Sequence, residues 1–385
     1  AAERILVLDG AMGAQIQNLD LDEVDYAGTG SGHACGHSSE RPQKGNNDLL
    51  VLTHFHADHV DGLAGVLGSH RVGEVWVSRA LDPVDGARAA LAEAAATVKQ
   101  GKGISLGGDF SAGGPQGAFK FRQNPQHVMT VDGGDASTLV EYGPQWLRNA
   151  VASDVSAFFA DNPFRFNDDL IVMPLQAATQ WDALSHVYYE DKLYNGFPAD
   201  SVTSFGAFHC GIDKVDAKGI TSRGVLLDVV AHRGAEVFCE PGVPITPAEL
   251  DDVVAAQNVE IRSGDVVVVH TGWWTRFLST GDGAEAGSGL HWTCAAWLHE
   301  HQVAAVAADN LMVEDPDPGH GVDGTFLPMH MLCLRDMGLM LGEYWDLGPL
   351  AADCAADHVY EFQLVAPPLK VVGAVGAPVS PIAIK

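Results

Sequence analysis

Two short runs in this chain place polar residues at spacings that suit chemistry. In Gln176-Ala177-Ala178-Thr179-Gln180-Trp181-Asp182-Ala183-Leu184-Ser185-His186, the residues Gln176, Gln180, Asp182 and His186 all carry even numbers. Alternate side chains of an extended strand share a face, so this spacing predicts four polar groups converging on one side. The alternative is a polar strand edge facing water. The preceding Ile171-Val172-Met173-Pro174-Leu175 reads as buried, which favours convergence. In Thr53-His54-Phe55-His56-Ala57-Asp58-His59, His54 and His56 project to one side of an extended loop. Asp58 and His59 follow at a spacing that completes a second set of metal ligands. The bland alternative there is a solvent-exposed chelating loop.

From Gly86 onward the chain alternates strand and helix signals. Ala87 to Gln100 is rich in helix formers, and Gly101 stands after it as a stop. Gly224–Val230, Asp265–His270 and Val303–Ala308 are short β-branched or apolar runs, as expected of strands buried on both faces. Between the first two, Thr246-Pro247-Ala248-Glu249 carries a Thr N-cap, Pro at the first helical position and Glu three residues on. It predicts a helix running to about Gln257. The fold class is therefore α/β. Trp181, Tyr188, Tyr189, Phe205, Trp273 and Trp274 either wall an aromatic pocket or form plain core. The first 85 residues read differently: Ile5–Gly10 looks like a strand and turn, but Ala27–Asn47 is a Gly-, Ser- and His-rich run without periodicity.

Composition narrows the function classes. With 385 residues, 46% of them apolar and 19% charged, the chain has ample length for a buried core and room for two or three domains. Its formal charge of −28 repels nucleic-acid phosphates and anionic membrane surfaces, so neither is expected as a partner. Six cysteines lie far apart with no C-x-x-C pair, which fits a reducing compartment better than a disulfide framework. No apolar stretch approaches the roughly 18 residues of a membrane helix. The expectation is a soluble, cytoplasmic protein.

Three family resemblances follow one another along the chain. Arg4–Gln17 (RILVLDGAMGAQIQ) with Lys44–Thr53 (KGNNDLLVLT) resembles the start of the homocysteine methyltransferase module of cobalamin-dependent methionine synthases. That module needs three zinc-binding cysteines, and Cys35 is the single one in this stretch. The run His54–His59 resembles the H-x-H-x-D-H signature of the metallo-β-lactamase superfamily, a likeness that fades near Arg79. Residues 86–385 resemble the cyclase family of metal-dependent hydrolases, which includes bacterial kynurenine formamidase and isatin hydrolase. The expected segments are thus 1–53, 54–85 and 86–385: two partial fragments ahead of a cyclase-family (swivelling β/α) hydrolase domain. Fragments that begin and stop mid-domain suggest a fused reading frame.

The third resemblance carries the functional expectation. The family motif H-x-G-T-H-x-D-x-P-x-H aligns without a gap on Gln176–His186; Thr179, Asp182 and His186 match, while Gln176 and Gln180 replace the first two His. His330, in Phe326–Leu334, and Glu343, in Gly342–Leu347, resemble the family's later His and Glu. Taken alone, His330 would read as a satisfied core histidine and Glu343 as a capping or surface carboxylate. The resemblance implies a divalent metal on Gln176, Gln180, Asp182, His330 and Glu343, with His186 as general base and His330 and Glu343 as the opposite wall of one cleft. Glutamine offers a neutral carbonyl oxygen where imidazole nitrogen would stand, so Mn²⁺ or Mg²⁺ is favoured over Zn²⁺. The implied substrate is a small amide, formamide or lactam, and the implied assembly a homo-oligomer. The alternative is a ligand-binding protein that keeps the scaffold with a degenerate metal site.

Overall fold

The computed structural model describes residues 92–117, 122–131, 166–215, 220–284, 287–322 and 325–385. The expected segments 1–53 and 54–85, with Cys35, His54, His56, Asp58 and His59, lie outside the described residues. The strands in chain order are β1 (Gly103–Ser105), β2 (Gln126–Val131), β3 (Asp168–Val172), β4 (Gln180–Asp182), β5 (Val202–Thr203) and β6 (Gly206–Ala207). They continue with β7 (Thr221–Asp228), β8 (Val266–His270), β9 (Ala305–Ala308), β10 (Met340–Glu343), β11 (Glu361–Val365), β12 (Gly376–Pro378) and β13 (Ile382–Ile384). The helices are α1 (Val229–Arg233), α2 (Pro247–Gln257), α3 (Trp273–Thr280), α4 (Cys294–Glu300), α5 (Pro328–His330, continued as a π-helical turn over Met331–Met337) and α6 (Gly348–Asp357).

Nine strands form one mixed sheet in the order β1-β13-β11-β7-β8-β9-β10-β4-β12. Its centre is parallel, β7 through β10, and the flanking strands are antiparallel. Both faces are covered. Val225, Leu227, Val267, Val269, Val306 and Ala308 pack on one side with α2, α4 and α5, and Leu226, Val268 and Ala307 pack on the other with Trp181, Trp345 and α6. Burial on both faces is why these strands read as unbroken apolar runs rather than alternating ones. The α/β expectation holds.

Local signals were legible to within a few residues. Thr246 Oγ1 accepts the Glu249 N–H at 3.3 Å, and the helix ends at Asn258 in the left-handed region (φ 53°). The Gly224–Val230 run leaves the sheet at Asp228, because that carboxylate accepts the Ala231 N–H and turns Val229 and Val230 into α1. The helix expected to reach Gln100 is helical over 92–96 and then turns, with the Thr97 N–H and hydroxyl both returning to the Ala94 carbonyl. Ile171 and Val172 are 47% and 62% exposed, so the run that reads as buried is not: among the described residues β3 pairs only with β2, in a two-stranded antiparallel sheet. Among the described residues, no helix is long and apolar enough to cross a membrane.

Candidate active site

Strand β4 brings the first motif into the sheet. It is three residues long, fully buried, and pairs antiparallel with β10, setting Gln180 opposite Glu343 and Trp181 opposite Gly342. Directly opposed residues of an antiparallel pair share a face, so Gln180 and Glu343 emerge side by side. Asp182, two residues on, points the same way. The other two even-numbered residues are not on this strand. Gln176 lies in the turn before it, its buried amide nitrogen unpartnered and packed against Gly376, where a Cβ would come within 2.7 Å. His186 lies in the turn after it, its N–H donating to the Ala183 carbonyl at 2.9 Å. A strand this short cannot carry all four.

Asp182, His330 and Glu343 nevertheless meet: one donor atom from each lies within 4.8 Å of the others, and all three side chains are buried. His330 Nε2 stands 3.3 Å from Glu343 Oε1 and 3.8 Å from Asp182 Oδ2. His186 Nε2 is 3.8 Å from the other Asp182 oxygen, Oδ1. The Gln180 amide donates to Glu343 Oε2 at 2.7 Å and to Asp182 Oδ1 at 3.4 Å, while its own oxygen is buried without a partner. Thr179 supports the frame: its hydroxyl donates to the Tyr344 carbonyl and accepts the Gly108 N–H.

Two groups near the cluster escaped sequence reasoning. Glu314, 1% exposed, accepts from His330 Nδ1 at 2.5 Å and from the His330 and Met329 N–H groups. The signal was a carboxylate closing the run Asn310-Leu311-Met312-Val313-Glu314 directly after a buried strand. Arg122 donates to the Gln176 carbonyl at 3.5 Å, and its charge reaches His186, Glu343 and Tyr344. Of the aromatic candidates, Trp181, Trp273 and Trp274 are core, at most 2% exposed, whereas Tyr188 and Phe205 are 58% and 88% exposed.

The electrostatics follow from crowding titratable groups in a dry place. Burial disfavours an imidazolium at His330, but hydrogen bonds to Glu314 and Glu343 and their charges outweigh it and carry its pKa up to about 10. Burial first, and then the Asp182 charge, push the Glu343 carboxyl up to about 7. Burial lowers His186 below 6.5 against the opposing pull of Asp182, with His330 and Arg122 adding to the fall. His186 therefore holds a free lone pair at neutral pH, while protons accumulate on His330 and Glu343. A cation competes with such protons, so affinity for it rises with pH.

The residues fit a divalent cation. Two carboxylates and an imidazole make a hard, anionic donor set, and Asp182 Oδ2 and the Gln180 amide oxygen are buried beside it with no hydrogen-bond partner. Buried polar atoms are normally satisfied, and a cation would satisfy these.

Fold and site together define an α/β domain with a buried Asp–His–Glu cluster at the junction of two antiparallel strands. The Cyclase family matches residues 122–315. A crystal structure described as a novel cyclase is 36% identical, with a TM-score of 0.64 over 77% of this chain and 93% of that one. An isatin hydrolase bound to the product analogue thioisatinate is 18% identical, with a TM-score of 0.50 over 78% of this chain and 96% of its own. Isatin hydrolase A from Ralstonia solanacearum is 14% identical, with a TM-score of 0.51 over 80% and 99%. The last two share the fold. This chain belongs to the Cyclase family.

Proposed function

We propose that this protein is a metal-dependent hydrolase that opens the C–N bond of a small amide, formamide or lactam, in the manner of an arylformamidase or isatin hydrolase. The observation that carries the reading is the buried meeting of Asp182, His330 and Glu343 with His186 beside them. Asp182, His330 and Glu343 would hold the metal, with the amide oxygen of Gln180 as a further weak donor and Gln176 bordering the site. Mn²⁺ or Mg²⁺ suits this oxygen-rich set better than Zn²⁺. A divalent ion in such a set supplies Lewis acidity to water and to the substrate carbonyl. His186, neutral at physiological pH, takes the proton released when water adds to the carbonyl carbon and returns it to the departing nitrogen. His330 and Glu343 form the opposite wall. A cytoplasmic location and a homo-oligomeric state belong to the same proposal; the five described cysteines are all free, in keeping with a reducing compartment.

A second reading rests on Gln180. Its amide donates to both carboxylates, which is a metal-free way of holding them together and suits a binding protein that has lost catalysis. Aryl formamides and isatin-type lactams assayed on metal-stripped protein, with and without added Mn²⁺, Mg²⁺ or Zn²⁺, separate the two. Metal-dependent turnover is expected. Metal or ligand binding without turnover of any of these compounds would favour the second reading.

A further inference from the structure

We propose that Glu314 is a positioning residue for His330, fixing which imidazole nitrogen is presented to Asp182 and Glu343; this rests on the reading of His330 as a metal ligand. One carboxylate meets three donors in the first turn of α5. Oε1 receives the His330 N–H at 2.8 Å and the His330 Nδ1 at 2.5 Å, and Oε2 receives the Met329 N–H at 2.9 Å. A carboxylate only accepts, so Nδ1 carries a proton whether the ring is neutral or an imidazolium. Nε2 is then left as the atom that faces Glu343 at 3.3 Å and Asp182 at 3.8 Å. A helix cap alone would need only the two backbone contacts; the contact to Nδ1 is what orients the ring.

The backbone around this pair is held in unusual geometry on both sides. Val313, just before Glu314, has φ 58°, a rare state for a β-branched residue. Asn310 stabilises it, its side-chain oxygen accepting the Val313 N–H at 2.8 Å while its amide donates to the Ser288 carbonyl at 2.9 Å. Gly289 leaves room for the turn, since a Cβ there would lie 2.3 Å from the Glu314 carbonyl. Leu327, which opens α5, has φ 53°. Strain on both segments that bring Glu314 to His330 is what a site selected for placement would retain.

The test uses the full chain, stripped of metal, with Mn²⁺ alone as the probe. Glu314→Gln keeps the size but turns one acceptor into a donor, and should bind Mn²⁺ about 10- to 100-fold more weakly. Glu314→Asp, whose carboxylate is a methylene shorter, should fall between. Asp182→Asn and His330→Ala report on the metal site itself. If they lose Mn²⁺ affinity and Glu314→Gln binds within twofold of wild type, the positioning role is overturned while the metal reading stands. The second readout is the ring of His330 by NMR of ¹⁵N-histidine protein, which needs neither metal nor turnover. A protected Nδ1–H in the wild type that is lost or mixed with the other tautomer in Glu314→Gln shows that Glu314 orients the ring; if all variants nevertheless bind Mn²⁺ alike, it is the metal reading that fails, and the orientation serves no ligand. An unprotonated Nδ1 in the wild type overturns it, and does so should Glu314→Gln fail to fold.

Discussion

Replacing Asp182 by Asn tests the centre of the cluster. Its two oxygens each lie 3.8 Å from an imidazole nitrogen, one of His186 and one of His330, and its side chain is 1% exposed. For unit charges at that distance and an effective dielectric near 20, the interaction is roughly 4 kcal/mol. An ion held in the same place loses at least that attraction, which corresponds to on the order of 10³-fold in affinity. Asn is isosteric and keeps an oxygen for the Gln180 amide, so folding should survive. It also removes the like charge that helps raise Glu343, so the metal-free variant should be no less stable than wild type at pH 8. With Mn²⁺ at about 100 times the wild-type Kd, wild type should gain roughly 2.7 kcal/mol and the variant less than about 0.1 kcal/mol. Thermal denaturation with isothermal titration measures both quantities. Mn²⁺ affinity within tenfold of wild type would refute the assignment of Asp182 as a ligand, and a metal-free variant that does not fold would make the residue structural.

Three further outcomes are expected. His186→Asn should lower turnover by about 10²-fold or more with Mn²⁺ affinity nearly intact; equal losses in both would place His186 among the ligands instead. His270→Gln tests a buried pair on the other face of the sheet. His270 Nδ1 lies 2.9 Å from Asp228, with Asp309 and Asp346 nearby, and these acids raise its pKa above 6.5 against the opposing effect of burial. A His whose folded pKa is raised adds stability that is complete below the unfolded value and fades as pH climbs through the folded one. The deficit of His270→Gln in urea denaturation should thus be largest near pH 6 and shrink in alkali; a deficit independent of pH would contradict it. Gly272 has φ 79°, and a Cβ there would meet the Val237 carbonyl oxygen at 2.1 Å, so Gly272→Ala should cost roughly 1–3 kcal/mol in the same assay. A loss below about 0.5 kcal/mol would mean the turn before α3 relaxes freely.

Much of the central fold was legible because its signals are local. Val266–His270 declares a strand buried on both faces through its β-branched run, and Thr246–Glu249 declares a helix start through a cap that needs only neighbouring residues. The even spacing of Gln180 and Asp182 told correctly that the two share a face. Period alone could not show where the strand stops, so Gln176 and His186 were placed on it although each lies in a turn. Nor did it mark β3 as an exposed strand, because an apolar run is the same whether or not a layer covers it.

The sequence by itself determined the alternation of β7, α2 and β8, and the residue types that make a cation-binding site conceivable. Only the tertiary structure decided that β4 pairs with β10, joining Gln180 to Glu343 across 163 positions. Only it showed that Glu314 reaches back to His330 and that the large tryptophans are core. The physical reason is that a two-residue period states which side chains share a face but not which strand lies alongside. That choice is made by burial of both sheet faces at once, a property of the packed chain that no window of sequence contains.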